Sequence, residues 1–191
     1  EPVLVEEITP GDTIGSSKCG ISVDLSSSGN ILIIGGPDDD TNVGAVWVYT
    51  LVNGQYSYYQ KLIPTGTNPT SGIGWHGHSV AVNNNEDVIV VTGASMVGSS
   101  GTNGRDLHNM WIWVINLGNW VQTSAPITLG NNSQFNFYVS PIIIKGSVDI
   151  STDGNVIIFG APRVKHITSN RTNGVVKIYQ RTDTNSSIWT E

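Results

Sequence analysis

The chain has 191 residues, a formal net charge of −6, and only 13% charged residues against 38% hydrophobic ones. That acidic balance argues against a nucleic-acid partner, because phosphate recognition relies on clustered Lys and Arg. No apolar run nears the roughly 18 residues needed for a membrane-spanning helix, and the single cysteine, Cys19, excludes an intramolecular disulfide framework and a cysteine metal centre.

The length suits one architecture with one well-buried core. Glu1–Thr9 is acidic and carries no basic segment followed by an apolar core, so it does not read as a signal peptide. Val3–Ile8, followed by Thr9–Gly15, parallels Tyr59–Pro64 and the segment leading to Ile73-Gly74. Residues 1–13 are therefore expected to be the strand and linker of a preceding or partner repeat.

From Gly20 onward a repeat governs the chain. In Gly20–Leu25, Ile21, Val23 and Leu25 alternate with Ser22 and Asp24, the period of a strand buried on one face. Ser28-Gly29-Asn30 is a turn signal, since Gly and Asn accept positive φ. Ile31–Ile34 is an unbroken β-branched and aliphatic run, as expected of a strand covered on both faces, and it ends at Gly35-Gly36-Pro37. A polar loop with Asp38, Asp39 and Asp40 leads to the apolar segment Gly44–Tyr49, and Tyr56–Leu62 closes the unit.

The second copy runs from Gly77–Val82 through Val88–Val91 to Gly93-Ala94-Ser95 and Met110–Ile115. The third has Gly146–Ile150, the turn Asp153-Gly154, Val156–Phe159 ending at Gly160-Ala161-Pro162, and Gly174–Tyr179. It reaches Ser187–Glu191 just as its outermost strand begins. Each unit is strand, turn, strand, loop, strand, turn, strand, with spans of about 14–63, 72–123 and 140–191. Nowhere do apolar residues recur at helical spacing over three turns, so the expected helix content is close to nil.

These segments, most clearly 146–162 closed by Asn173–Tyr179, resemble FG-GAP repeats, the repeats of the integrin α-subunit propeller and of many surface proteins. The resemblance covers roughly residues 14–189. It implies an all-β, β-propeller-type fold of four-stranded antiparallel blades, here three repeats forming a partial or intermolecularly completed propeller. It also implies a non-catalytic extracellular role in adhesion or structure, at a cell or virion surface. Integrin-type repeats often hold calcium between their first two strands. The corresponding links Ser26–Asn30, Asn83–Asp87 and Ser151–Asn155 are too short and carboxylate-poor for the six or more oxygens calcium takes, so no cofactor is expected. Three blades leave open edges, so self-association through strand exchange at the ends, or binding of other proteins, is the expected partnership.

Candidate ligand-binding residues lie in the links that would share one rim. Asp38, Asp39 and Asp40 suit a cation or a basic partner, and Arg163, Lys165, His166 and Arg171 suit an acidic or glycan ligand, the alternative being a lectin-like module. Trp75, Trp111, Trp113, Trp120 and Trp189 mostly alternate with aliphatic residues, which favours packing over sugar stacking. His76 and His78 are spaced to share a strand face, but no third metal ligand is identifiable. Gly77-His78-Ser79-Val80-Ala81 imitates a hydrolase elbow, yet the serine recurs as Ser22 and Ser147, a structural position. Asn131, Asn170 and Asn185 are N-glycosylation acceptors, which fits a secretory route.

Overall fold

A computed structural model describes residues 4–65, 73–97, 105–123, 127–129, 135–137, 147–161, 164–166, 175–182 and 189–190. They form an all-β structure. The first sheet contains β1 (Ser22–Leu25), β2 (Ile31–Gly36), β3 (Ala45–Val52) and β4 (Gln55–Leu62) in that order, all antiparallel. The second has β5 (Ile73–Val82), β6 (Val88–Val97), β7 (Arg105–Asn116) and β8 (Asn119–Gln122), with β9 (Ile127–Leu129) also paired to β7. β10 (Phe135–Phe137) precedes the third sheet, which contains β11 (Ser147–Ile150), β12 (Val156–Ala161), β14 (Val175–Arg181) and β15 (Trp189–Thr190). β13 (Val164–His166) leaves the third sheet to form a separate ribbon with β10. Each four-stranded sheet lies within one copy of the repeat.

The links expected as loops carry more structure than their composition suggests. β9, β10 and β13 fall in the Ser124–Lys145 and Arg163–Asn173 links. The described residues of the Met96–Asn109 link, Met96, Val97 and Arg105–Asn109, are strand, with Met96 opposite Asp106 and Val97 opposite Arg105. Asp39–Asn42 forms one irregular helical turn in which Asp40 and Thr41 are left-handed, so it is a turn rather than a helix. Of Val3–Ile8, expected as a strand, Leu4–Ile8 have no strand pairing among the described residues.

The register corrects one equivalence between the copies. Ser22 faces Gly35 and Ser147 faces Gly160, but Ser79 faces Thr92, not Gly93. The second copy's glycine is thus displaced by one residue from the strand position of the other two.

Packing follows from the alternation of side chains. On the first sheet Ile31, Ile33, Val46 and Val48 point to one side and meet Ile89, Val91, Trp111 and Trp113 of the second in one buried cluster. The second sheet's opposite face, Val88, Val90, Met110 and Ile112, meets Ile157, Phe159, Tyr179 and Trp189 of the third. A smaller cluster of Ile34, Ala45, Trp47 and Tyr49 lies on the first sheet's other face, against Ile8 and Cys19. Unbroken apolar runs are what a sheet covered on both faces requires.

The inner strands of the first two sheets nearly touch. Ser22 Oγ donates to the Gly77 carbonyl at 2.8 Å, and the Val82 amide donates to Asp24 Oδ2 at 2.8 Å. At the outer strands Gln60 and Trp120 exchange two hydrogen bonds of 2.9 and 2.8 Å. The first hairpin turns are closed alike, since Ser26 Oγ, Asn83 Oδ1 and Ser151 Oγ accept the amides of Ile31, Val88 and Val156 at 3.0, 2.9 and 2.9 Å. Adjacent turns are tied as well, with Glu86 accepting from Ser26 at 2.8 Å and Asn84 donating to Thr152 at 3.3 Å.

A Cβ on Gly35 would collide with the Gly77 carbonyl oxygen and Ser22 Oγ, and one on Gly77, at φ +94, would meet the Ala45 carbonyl. Gly35→Ala and Gly77→Ala are therefore each expected to lower stability in urea unfolding by about 2 kcal/mol or more. Gly11→Ala, with nothing within 4 Å of its Cβ, should stay within about 0.5 kcal/mol of the parent. Equal midpoints for all three would refute the close approach.

Candidate functional site

The acidic loop between β2 and β3 is bound internally. Asp39, 2% exposed, accepts the Ile14 amide at 2.7 Å through Oδ1 and pairs with Lys61 Nζ at 2.8 Å through Oδ2. Lys61, on β4, also donates to the Asp12 carbonyl at 2.7 Å and lies 5.1 Å from the centre of the Trp47 ring. Trp47 Nε1 donates to Asp12 Oδ1 at 2.6 Å. Asp38 pairs with Lys18 at 2.6 Å, while Asp40 is exposed. The acidic turn, Lys18, Lys61 and Trp47 thus fasten residues 12–18 onto the first sheet, and sequence reasoning missed both lysines and Asp12. Lys61 has a signal in retrospect, as a lone cation in the Tyr-rich strand Gln55–Leu62.

Burial, followed by the Asp39 charge, raises the Cys19 thiol above its ordinary pKa. The protonated thiol is a poor nucleophile and metal ligand at neutral pH.

The basic candidates stand on the third repeat. Lys165 and His166 lie on β13, opposite Asn136 and Phe135. Arg163, Arg171 and the acceptors Asn131, Asn170 and Asn185 lie outside the described residues. The acidic and basic groups are on links of different sheets, and Asp38 and Asp39 take their cations, Lys18 and Lys61, from beside or within the first sheet.

His76 is fully buried between the edges of Trp111 and Trp113, at centroid distances of 5.1 and 5.9 Å. Its Nε2 accepts Trp113 Nε1 across a long 3.4 Å, and its Nδ1 has no hydrogen-bond partner among the described residues. Burial pushes its pKa down to about 3. The pairing of β5 with β6 shifts between Gly74 and Ser79, so a spacing of two residues no longer guarantees that His76 and His78 share a face. Among the described residues no group of three His, Cys, Asp or Glu side chains is placed to hold a metal. Ser79 sits inside a strand, its Oγ accepting the Val148 amide at 3.4 Å, rather than at a strand-to-helix turn.

Of the tryptophans considered for sugar stacking, Trp111, Trp113, Trp120 and Trp189 are buried, as is Trp47, and offer no open platform to a sugar, whereas Trp75 is half-buried. No helix among the described residues is long and apolar enough to cross a membrane. No family model matches the chain, and no curated protein matches it.

Lys61→Met strands the buried Asp39 carboxylate and is expected to cost about 3 to 5 kcal/mol in urea unfolding. Adding Asp39→Asn should recover part of that loss. A single variant as stable as the parent would show that the clamp carries no weight.

His76 gives a pH signature. Its folded pKa is depressed, so the unfolded state takes up the proton first as pH falls below about 6.5. Its contribution to stability is complete above that value and is lost progressively down to about 3. The folding constant should fall up to about tenfold per pH unit through this window, relative to His76→Gln. Parallel pH profiles for the two proteins would contradict the burial of His76.

Proposed function

We propose that the chain is a non-catalytic, propeller-type module of the FG-GAP kind, acting in adhesion or structure at a cell or virion surface. The observation that carries this reading is the stacking of three four-stranded sheets through equivalent positions and in one sense, with inner strands β1 and β5 joined by Ser22 and Asp24. Successive blades of a propeller are set in this way. The side chains with the most chemical promise are committed to structure: Asp39 to Lys61, His76 to the Trp111–Trp113 pocket, and Ser79 to the third sheet's Val148. The first hairpin turns are closed by their own side chains, which favours a module working without calcium.

The buried tryptophans place protein contact ahead of glycan recognition, since sugar stacking needs an open ring face. The low formal charge of −6 likewise favours a protein partner over a polyanion.

Antibody labelling of intact producing cells or particles tests the location, and retention of those cells by beads carrying the purified chain tests adhesion. Surface labelling together with retention is the expected result. Labelling that appears only after permeabilisation would overturn the proposal.

A further inference from the structure

The outer hairpins of the first and second sheets end in matching turns, and one of them carries a residue ill-suited to its conformation. With Ser22 aligned on Ser79, Val48 corresponds to Ile112 in strand register. The turn Asn53-Gly54, closed by Val52 opposite Gln55, then corresponds to Leu117-Gly118, closed by Asn116 opposite Asn119. Both turns are left-handed at both residues, with φ of 52 and 83 in the first and 48 and 80 in the second. Asn and Gly accept that region, whereas a bulky aliphatic side chain is disfavoured in it. Leu117 is nevertheless held there, and at 96% it is the most exposed large hydrophobic side chain among the described residues. Neither its conformation nor burial accounts for leucine at this turn, which points to a contact outside the chain.

The surroundings are apolar and uncharged. Leu51 and Ile115 hold equivalent positions two residues before their turns and are 39 and 41% exposed, and Val52 is exposed beside the first turn. Tyr59 is exposed on β4, and its hydroxyl donates to the Gly118 carbonyl, which fixes the Leu117 turn against the first sheet. No Asp, Glu, Lys or Arg occurs between Asp40 and Lys61 or between Asp106 and Lys145. The buried strands β3 and β7 explain part of that, but β4, β8 and their turns are largely exposed and neutral as well. The third sheet has Arg181 in the place of Ile115, so the apolar row is confined to the first two sheets.

The backbone at these edges is already engaged, so a partner strand is not what they receive. Trp120 spends its amide and carbonyl on the Gln60 side chain, and the Tyr56 amide donates to Glu6 Oε2 at 3.1 Å. What remains is a set of side chains on convex turns. A row of separated apolar points suits a deformable surface better than a protein pocket, which must match each point. Charge then selects the kind of surface. The inner turns lie alongside the outer ones, since the Leu51 amide donates to the Asn30 carbonyl at 2.8 Å and the Ile115 amide to the Asp87 carbonyl at 3.1 Å. Glu86 and Asp87, and Asp153 on the third sheet, stand on these inner turns. Their carboxylates repel anionic headgroups and attract the ammonium of choline.

We propose that the outer turns of the first and second sheets dock on a zwitterionic phospholipid surface. Leu117 enters the boundary between headgroups and acyl chains, Ile115, Leu51 and Val52 lie against it, and Tyr59 sits at headgroup level. The contact is made from one side, with no segment crossing the bilayer. The inference goes beyond the adhesion reading and does not depend on it.

Co-sedimentation of the purified chain with sucrose-loaded phosphatidylcholine vesicles, up to roughly 1 mM lipid, tests it. The wild type should pellet with the vesicles. Leu117→Asn gives the second turn the residue of the first, so it should melt at or above the wild-type temperature while binding at least about tenfold more weakly. Exchanging part of the phosphatidylcholine for phosphatidylserine should weaken wild-type binding. A wild type that stays in the supernatant, a Leu117→Asn chain that binds as the wild type does, or binding that phosphatidylserine fails to weaken would each overturn the lipid contact. Vesicles that bind nothing, beside bead retention of intact cells that is lost in Leu117→Asn, would assign the turn to a protein partner and sink the lipid contact while leaving the adhesion reading in place.

Discussion

The second sheet is apolar on both faces, and the rest of the structure depends on that. Ile89, Val91, Trp111 and Trp113 lie on one side of it, Val88, Val90, Met110 and Ile112 on the other, and all eight are buried. Fully burying one such side chain is worth about 1.5 to 3 kcal/mol, so exposing either face would forfeit several times that amount. The second sheet must be covered twice, and the first and third sheets are its covers. Once they are in place, the inner strands of the first and second sheets are close enough for Ser22 and Asp24 to reach across, and only glycines fit where Gly35 passes the Gly77 carbonyl.

Charge is arranged to serve this packing. With only 13% charged residues, the chain has few groups that need water, and several of those it has are used at junctions. Asp24 and Glu86 join the first sheet to the second, one through a strand amide and the other through serine hydroxyls. Asp39 and Lys61 form a buried pair whose remaining hydrogen bonds go to the Ile14 amide and the Asp12 carbonyl, so neither charge is left uncompensated. The pair holds a segment without secondary structure against Trp47, which lets a stretch with no ladder hydrogen bonds remain on the sheet.

Much of the strand pattern was legible because the signals are local. Alternation in Ile21–Leu25 marks a strand with one polar side, and the runs Ile31–Ile34, Val88–Val91 and Val156–Phe159 mark strands with two apolar sides. β9, β10 and β13 were not legible, since three-residue strands in polar links are stabilised by their partners and have almost no period of their own. Thr92 in the place of Gly35 escaped because glycine pairs attract the eye, whereas register is decided by the pairing with Ser79. The acidic loop looked like a ligand site because its partners, Ile14 and Lys61, are distant in sequence. His76 and His78 looked like a pair because strand spacing assumes an unbroken ladder, and the shift before Ser79 breaks it.

The two ends of the stack are finished differently, and the difference follows from side-chain type. On the first sheet the exposed end would present Trp47 and Tyr49, the largest side chains of that face, and it is these that Ile8, Cys19 and the Asp12 carboxylate cover. The inner strand keeps Val23 and Leu25 bare. On the third sheet no described segment covers Ile158, Val176 and Ile178, although Ile158 and Ile178 are cross-strand partners and form a continuous aliphatic surface. A sheet face held permanently in water ordinarily carries polar residues at these positions. The equivalent positions in the first and second sheets, Ile33, Val48, Val90 and Ile112, are core. Side chains that serve as core in two sheets have the same shape and chemistry in the third, which makes that surface continuous with the core rather than an exception to it.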